Sequence, residues 1–219
     1  MRRSLPPEEL VKLIPDGATL MIGGFMGVGS PHRMIEALLQ SGQSNLCVIA
    51  NDTAKPGFGI GKLIRSGQVS HVIASHIGLN PETQQKMIAG SLKVDLVPQG
   101  TLVERIRAAG FGLGGVLVKT GIGTLVEEGK QVVEINGEKW LLELPLRADF
   151  SLIHAHQSDY LGNLRYQLTS TNFNPVMAMA GKCVIAEANE ILPVGMIPPD
   201  HVDTPGVLVH QLVSVKLHY

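Results

Sequence analysis

Short runs of aliphatic and β-branched residues alternate with helix-starting segments through the first half of the chain. Four runs have the length and composition of strands, and a turn and then a helical segment follow each one. The predicted strands are Thr19–Ile22, Leu46–Ala50, Val69–Ala74 and Val94–Val97, and the predicted helices are Pro31–Leu39, Ile60–Ser66, Pro81–Ala89 and Leu102–Ala108. This alternation predicts an α/β fold, with an open, mainly parallel, doubly wound sheet flanked by helices.

Capping side chains support three of these helix starts. Ser30 and Asn80 each stand directly before a proline at the first helical position, where their side chains can accept from an unpaired backbone N–H group. Thr101 and Glu104 have the spacing of a capping box.

The second half has a different pattern. Gly110–Gly129 contains seven glycines, which argues against a regular element there. Asn136–Gly137 lies between two strand-like runs and predicts a β-hairpin. Strands near Phe150–Ala155 and Val184–Ala188, a short helix near Pro175–Ala180 and a last apolar run at Gly206–Val215 complete the prediction. No repeat or linker stands out, so we predict a single domain over residues 1–219.

Composition narrows the class of partner. The 19 acidic and 18 basic residues nearly cancel, for a net charge of −1, so no basic field is available to hold a nucleic acid or an anionic membrane. Only 17% of residues are charged, against about 25% in ordinary domains, which favours a surface buried against another subunit. With two cysteines, no signal-peptide pattern and no run of about 18 apolar residues, the chain is expected to be cytoplasmic, with reduced thiols.

Polar, glycine-rich loops follow all four predicted strands. The carboxyl ends of parallel strands share one edge of a sheet, where ligands of such folds bind. We therefore expect a ligand site where four segments meet, namely Gly23–Ser30, Asn51–Gly59, Ser75–Asn80 and Pro98–Gly100.

The first of these loops carries the most information. Its four glycines would let backbone approach a ligand closely, and the helix that opens after Ser30 would favour negative charge at its start. It is not a dinucleotide fingerprint, because Gly27-Val28-Gly29 is not followed three residues later by the third glycine of the motif. The segment Gly57–Lys62 fails as a phosphate loop, because Leu63 follows the lysine. A tight strand-to-helix turn without a ligand is the alternative.

The stretch DGATLMIGGFMGVGSP, Asp16–Pro31, resembles the signature of the family I CoA-transferases. In that signature an acidic–Gly pair, three aliphatic residues, Gly-Gly-Phe, a spaced glycine and a proline stand in fixed register. Further segments, among them LVPQGTLVERIR, TGIGTLVEEGK and GNLRYQLTSTNFNP, resemble the α subunits of bacterial acetate/acetoacetate CoA-transferases. The resemblance covers essentially the whole chain.

The resemblance implies covalent catalysis with ping-pong kinetics. A glutamate attacks an acyl-CoA thioester, and a glutamyl-CoA thioester then passes CoA to an acceptor carboxylate. In this family the glutamate lies in a Ser-Glu-Asn-Gly motif of the β subunit, and this chain has no such tetrapeptide. The implied partner is therefore a β subunit. The implied substrates are acyl-CoA and short-chain carboxylates, with coenzyme A as a substrate and no permanently bound cofactor.

The resemblance also implies candidate site residues. The segment assigned to CoA or substrate comprises Gly23, Gly24, Phe25, Met26, Gly27, Val28 and Gly29. Gln99 and Asn51 match an active-site glutamine and asparagine, although a loop hydrogen bond for Gln99 and an Asx-turn for Asn51 remain alternatives. His154 and His156 have the i, i+2 spacing of a metal pair on a strand, but without a further ligand nearby no metal site is predicted.

Two other functions remain open for a fold of this class. One is a sugar-phosphate isomerase or deaminase, which would carry its own acid and base residues and act alone. The other is a ligand-sensing domain, which usually follows a DNA-binding helix-turn-helix; about 15 residues precede the first predicted strand here.

Overall fold

One large, mainly parallel sheet organises the protein, whose computed structural model describes residues 4–214. Its strands are β1 (Ser4–Leu5), β2 (Thr19–Ile22), β3 (Leu46–Asp52), β4 (Val69–His76), β5 (Lys93–Leu96), β9 (Ala148–Asp159), β10 (Leu164–Arg165), β11 (Gly181–Leu192) and β12 (Gln211–Val213). The order is β1-β12-β11-β9-β2-β3-β4-β5 with every neighbouring pair parallel, and β10 pairs antiparallel with β9.

Helices cover both faces of this sheet. They are α1 (Pro7–Leu10), α2 (His32–Ser41), α3 (Ile60–Ser66), α4 (Pro81–Ile88), α5 (Gln99–Gly110) and α6 (Asn174–Ala180). Buried residues of α1, α2 and α3 form one hydrophobic core with one face of the sheet. Buried residues of α5 and α6 form a second core with the opposite face. The predicted doubly wound α/β arrangement is confirmed.

A small antiparallel sheet of order β6-β8-β7 lies outside the main sheet; its strands are β6 (Val116–Val118), β7 (Val132–Ile135) and β8 (Glu138–Glu143). The predicted hairpin is confirmed as β7–β8. Asn136 and Gly137 have φ values of 54° and 77°, the pair of positive values that a type I′ turn requires. The glycine-rich segment was expected to lack regular structure, and this was wrong in part, because it contains β6 and a 3-10 turn at Leu125–Glu127.

The predicted strands and helices of the first half are all present, but two of the three caps are not. Asn80 caps α4 by accepting from the N–H of Thr83 at 3.3 Å. Ser30 does not cap α2; its hydroxyl instead donates to the carbonyl of Gly23 at 2.8 Å. The Thr101–Glu104 capping box is absent because α5 already begins at Gln99, which places Thr101 inside the helix.

The later elements extend beyond their predicted cores. β9 and β11 run for 12 residues each, and the last apolar run contains β12, with Val215 outside the described residues.

Cys47 and Cys183 are both free thiols, each partly exposed. Within residues 4–214, no helix has the length and apolar character needed to cross a membrane. The single domain over 1–219 stays a prediction.

Candidate active site

The four predicted loops meet at the carboxyl edge of the main sheet. They line an open cavity of about 330 Å³. Its lining comes from every one of the four segments and consists of Phe25, Met26, Asn51, Asp52, Ser75, His76, Leu79 and Gln99. The convergence deduced from parallel topology is therefore confirmed, and it places Asn51 and Gln99 in one cavity.

Asn51 is the centre of a polar network on the wall of this cavity. Its Oδ1 accepts from Gln99 Nε2 at 3.2 Å and from the Ser75 hydroxyl at 3.0 Å. Its Nδ2 donates to Asn172 Oδ1 at 3.0 Å. Asn51 is only 1% exposed, so these bonds fix the position of its amide. Gln99 uses one N–H in this contact, and a primary amide has two.

The glycine-rich loop after β2 is a tight backbone turn. The N–H of Phe25 donates to the carbonyl of Val28 at 2.9 Å, and the N–H of Val28 donates back at 2.8 Å. Between them Met26 and Gly27 both have positive φ, 51° and 80°. The carboxylate of Asp52 accepts from the N–H of Met26 at 2.8 Å, which ties the tip of the turn to the end of β3.

Gly24 serves the turn itself rather than direct contact with a ligand. Its φ is +107°, and a Cβ there would lie 2.2 Å from the Ser30 hydroxyl oxygen. Gly23, Gly24 and Gly27 are buried, whereas Phe25 and Val28 are exposed. The candidate CoA-binding stretch therefore divides into a buried framework and a few side chains that can reach a ligand.

Asn174 holds the same loop from the second half of the chain. Its Nδ2 donates to the carbonyl of Gly29 at 3.0 Å, and its Oδ1 accepts from the N–H of His154 at 2.9 Å. A Cβ on Gly23 would lie 1.8 Å from Asn174 Oδ1. Sequence reasoning missed this residue and Asp52; the one signal for Asn174 was an asparagine directly before a proline at a helix start.

The start of α2 is already occupied by a side chain. The Glu187 carboxylate, on β11, accepts from the N–H groups of Arg33 at 3.0 Å and Met34 at 3.1 Å. Burial raises the pKa of this carboxyl, and the two amide bonds act in the opposite direction. The expectation that this helix start favours negative charge agrees with this contact, although the charge belongs to Glu187, which takes the N–H groups that an anionic ligand would need.

A smaller cavity of about 220 Å³ lies on the other side of the loop. Val28, Gly29, His154, His156, Gln167, Leu168, Thr169, Ser170 and Asn189 line it. His154 Nε2 lies 3.0 Å from Asn189 Oδ1, and burial lowers the pKa of this histidine. The described residues contain no group of three or more His, Cys, Asp or Glu arranged to hold a metal.

A third cavity, also about 330 Å³, lies between α5 and the small sheet, away from all four loops. Its buried acid, Glu143, is paired with Lys130 at 2.5 Å and lies 3.8 Å from Arg105. These contacts join α5 to the small sheet, so the carboxyl-edge cavity is the better candidate for chemistry.

Comparison with known proteins identifies the family of this chain. The sequence model of the family described as coenzyme A transferase matches residues 6–215. The α subunit of acetate CoA-transferase from Escherichia coli K12 is 56% identical over 198 residues, 90% of each chain. The α subunit of acetoacetyl-CoA:acetate/butyrate CoA transferase from Clostridium acetobutylicum is 51% identical, over 94% of this chain and 95% of that protein.

A solved structure shows the same fold. The acyl-CoA transferase of E. coli O157:H7, in its thioester complex with CoA, superposes with a TM-score of 0.85 at 24% identity. The match covers 100% of this chain and 49% of that one, so the chain spans about half the length of that enzyme. With a family model that matches nearly every residue and relatives that are more than half identical along nine-tenths of their length, this chain belongs to the coenzyme A transferase family.

Proposed function

We propose that the chain is the α subunit of a short-chain acyl-CoA:carboxylate CoA-transferase of the acetate, acetoacetate and butyrate class. The observation that carries the proposal is the pair of α subunits, 56% and 51% identical along nine-tenths of both chains, whose names specify these substrates. Neither of those names specifies the isomerase or ligand-sensing role that the fold also allowed. The proposed location is the cytoplasm, in keeping with its two free thiols.

In the proposed mechanism this chain supplies the cavity and the partner β subunit supplies the nucleophile. The partner's glutamate attacks the thioester carbonyl, CoA leaves as a thiolate, and the thiolate attacks the resulting anhydride to give a glutamyl-CoA thioester and a free carboxylate. An acceptor carboxylate then reverses these steps. Coenzyme A is a substrate throughout, so the scheme includes no permanent cofactor.

Gln99 and Asn51 are proposed to support this chemistry. The thioester and anhydride steps develop negative charge on a carbonyl oxygen, where a preorganised donor is most effective. Gln99 donates one N–H to Asn51 and has a second N–H to offer. The exposed side chains of the glycine-rich loop, Phe25 and Val28, together with Met26 and Gly29, are proposed to contact CoA or the acyl group.

Reconstitution tests the proposal. The purified chain alone should transfer no CoA from acetoacetyl-CoA to acetate. The complex with its β subunit should transfer it, with the parallel double-reciprocal lines of a ping-pong reaction. Robust transfer by the isolated chain would overturn the two-subunit assignment, and a complex inactive with every short-chain carboxylate would overturn the proposed substrate class.

A further inference from the structure

Among the residues that line the carboxyl-edge cavity, one side chain can carry positive charge. Asn51, Gln99 and Ser75 supply amides and a hydroxyl. Phe25, Met26 and Leu79 supply an apolar wall, and Asp52 supplies an acid. No lysine or arginine is part of this lining, which leaves His76 as its potential cation.

His76 stands at the end of β4, directly across from Asp52 on β3. The Asp52 oxygens accept from the N–H groups of Met26 at 2.8 Å and Ala54 at 2.6 Å, and none of the ion pairs in the described part of the chain joins Asp52 to His76. The Asp52 carboxylate therefore binds backbone N–H groups of the loops after β2 and β3, and the His76 imidazole is available to a ligand.

The position of the imidazole is defined by the turn after β4. A Cβ on Gly78 would lie 2.7 Å from Cε1 and 2.9 Å from Nε2 of His76, so the ring lies against the bare backbone of that residue. His76 is exposed, and its neighbour Leu79 is 42% exposed. A polar, chargeable ring and an apolar side chain therefore stand side by side on the cavity wall.

We propose that His76 recognises the free carboxylate substrate, an inference that rests on the proposed transferase function. The protonated imidazole donates to the carboxylate, while Leu79, Phe25 and Met26 contact its short carbon chain. A carboxylate that leaves water for a cavity needs a charged or multiply donating partner. The acyl group of acyl-CoA is a neutral thioester and needs no charged partner. His76 therefore acts on the free carboxylate and not on acyl-CoA.

The test compares His76→Gln with His201→Gln in the reconstituted complex. His201 is an exposed histidine outside the cavity and serves as the matched control. For His76→Gln, the KM for acetate should rise about tenfold or more, the size of one charge-assisted hydrogen bond. The KM for acetoacetyl-CoA and the kcat at saturating acetate should stay within about twofold, because the contact is made with the bound acid before and during the reaction.

Varying the pH gives a second readout. The proposed contact requires a charged imidazole, so the wild-type KM for acetate should rise with increasing pH, and that of His76→Gln should not. The other ionisable group that faces His76 is Asp52 on the adjacent strand; the lining from the β2 loop and from α5, Phe25, Met26 and Gln99, is uncharged.

Three outcomes are distinguishable. An acetate KM within about twofold of wild type in His76→Gln, with its pH dependence intact, would overturn the inference. Equal losses of kcat/KM for both substrates would also overturn it, because the side chain would then act in the chemical step. If the wild-type complex transfers no CoA, the proposed function itself fails, and this is seen before any variant is measured.

Discussion

At the scale of single residues, the position of the Gln99 amide allows two different roles for this side chain. A hydrogen bond to Asn51 at 3.2 Å holds its amide in the cavity wall. This contact alone would also suit a loop-stabilising residue. The two possible roles, oxyanion donor and loop-stabilising residue, differ in the step that they affect. An oxyanion donor acts mainly in the transition state, whereas a loop residue affects folding and assembly.

The Gln99→Ala variant separates these roles. In the reconstituted complex we expect kcat to fall about 10²–10³-fold, the usual loss for one preorganised donor. Gln85→Ala, an exposed glutamine on α4 outside the cavity, is the control and should be neutral. A KM effect limited to acetate would indicate binding of the acid instead. Kinetics within about twofold of wild type, in an intact complex, would leave Gln99 as a loop residue.

The partly buried imidazole of His154 should make the stability of the folded protein depend on pH. Burial lowers its pKa, and its Nδ1 is buried without a hydrogen-bond partner among residues 4–214. The unfolded chain therefore binds a proton more readily, and the stability contributed by neutral His154 is present above the unfolded pKa of about 6.5 and is lost as pH falls below it.

Thermal unfolding of wild type and His154→Asn between pH 7.5 and 5.5 measures this effect. The wild-type Tm should fall as the pH is lowered, and the fall should be smaller in the variant. It should not vanish, because burial lowers the pKa of His32 as well. An identical pH dependence in both proteins would contradict the assignment to His154.

Side chains near the motifs were predictable from sequence, and those that support them were not. Asn51 directly follows a strand-like run and Gln99 follows one after Pro98, so topology alone brings them to one edge. Asn174 and Glu187 reach the first loop and α2 across sequence separations of 145 and 154 residues. No local pattern encodes such contacts, since they depend on the pairing of β9 with β2 and of β11 with β9.

At the scale of elements, the glycine-rich turn is held by backbone geometry and by three parts of the chain. Asp52 binds its tip, Asn174 binds its end, and Ser30 packs over Gly24. Gly24 needs a backbone angle that L residues rarely adopt, and it also has no room for a side chain.

Gly24→Ala tests this account, with Gly17→Ala as the matched control. Gly17 also has positive φ, +75°, but a Cβ there would meet nothing within 4 Å. We expect the control to lose about 1–3 kcal/mol of stability from strain alone and to retain transfer activity. Gly24→Ala should lose more stability, because the Ser30 contact adds a clash, and transfer should fall at least about tenfold. Equal unfolding midpoints and equal rates in the two variants would contradict this role for Gly24.

The predicted elements failed mainly at their ends and in the glycine-rich segment. Caps were assigned from residue type, yet α5 starts two residues before Thr101 and Ser30 is used inside a turn. Strand β6 went unrecognised because its three residues, VLV, pair only with the distant β8. Tertiary contacts decide both cases, and they are invisible in a local window.

At the scale of the molecule, the winding order of the sheet places the site. From β2 the chain adds β3, β4 and β5 on one side and later β9, β11 and β12 on the other. The glycine-rich loop follows β2, at the point where the order reverses, which is where ligands bind in such sheets. The sequence predicted the first side of this arrangement, but the pairing of β9 with β2 could not be deduced from pattern.

The proposed function requires that the cavity of this chain works with a nucleophile supplied by the partner subunit. The most direct test is to incubate the complex with acetoacetyl-CoA, reduce the enzyme–CoA thioester with borohydride and map the modified residue by peptide mass spectrometry. We predict that a glutamate of the β subunit is reduced to the alcohol and that every glutamate of this chain is unchanged. A reduced glutamate within this chain would place the nucleophile here and overturn the two-subunit assignment.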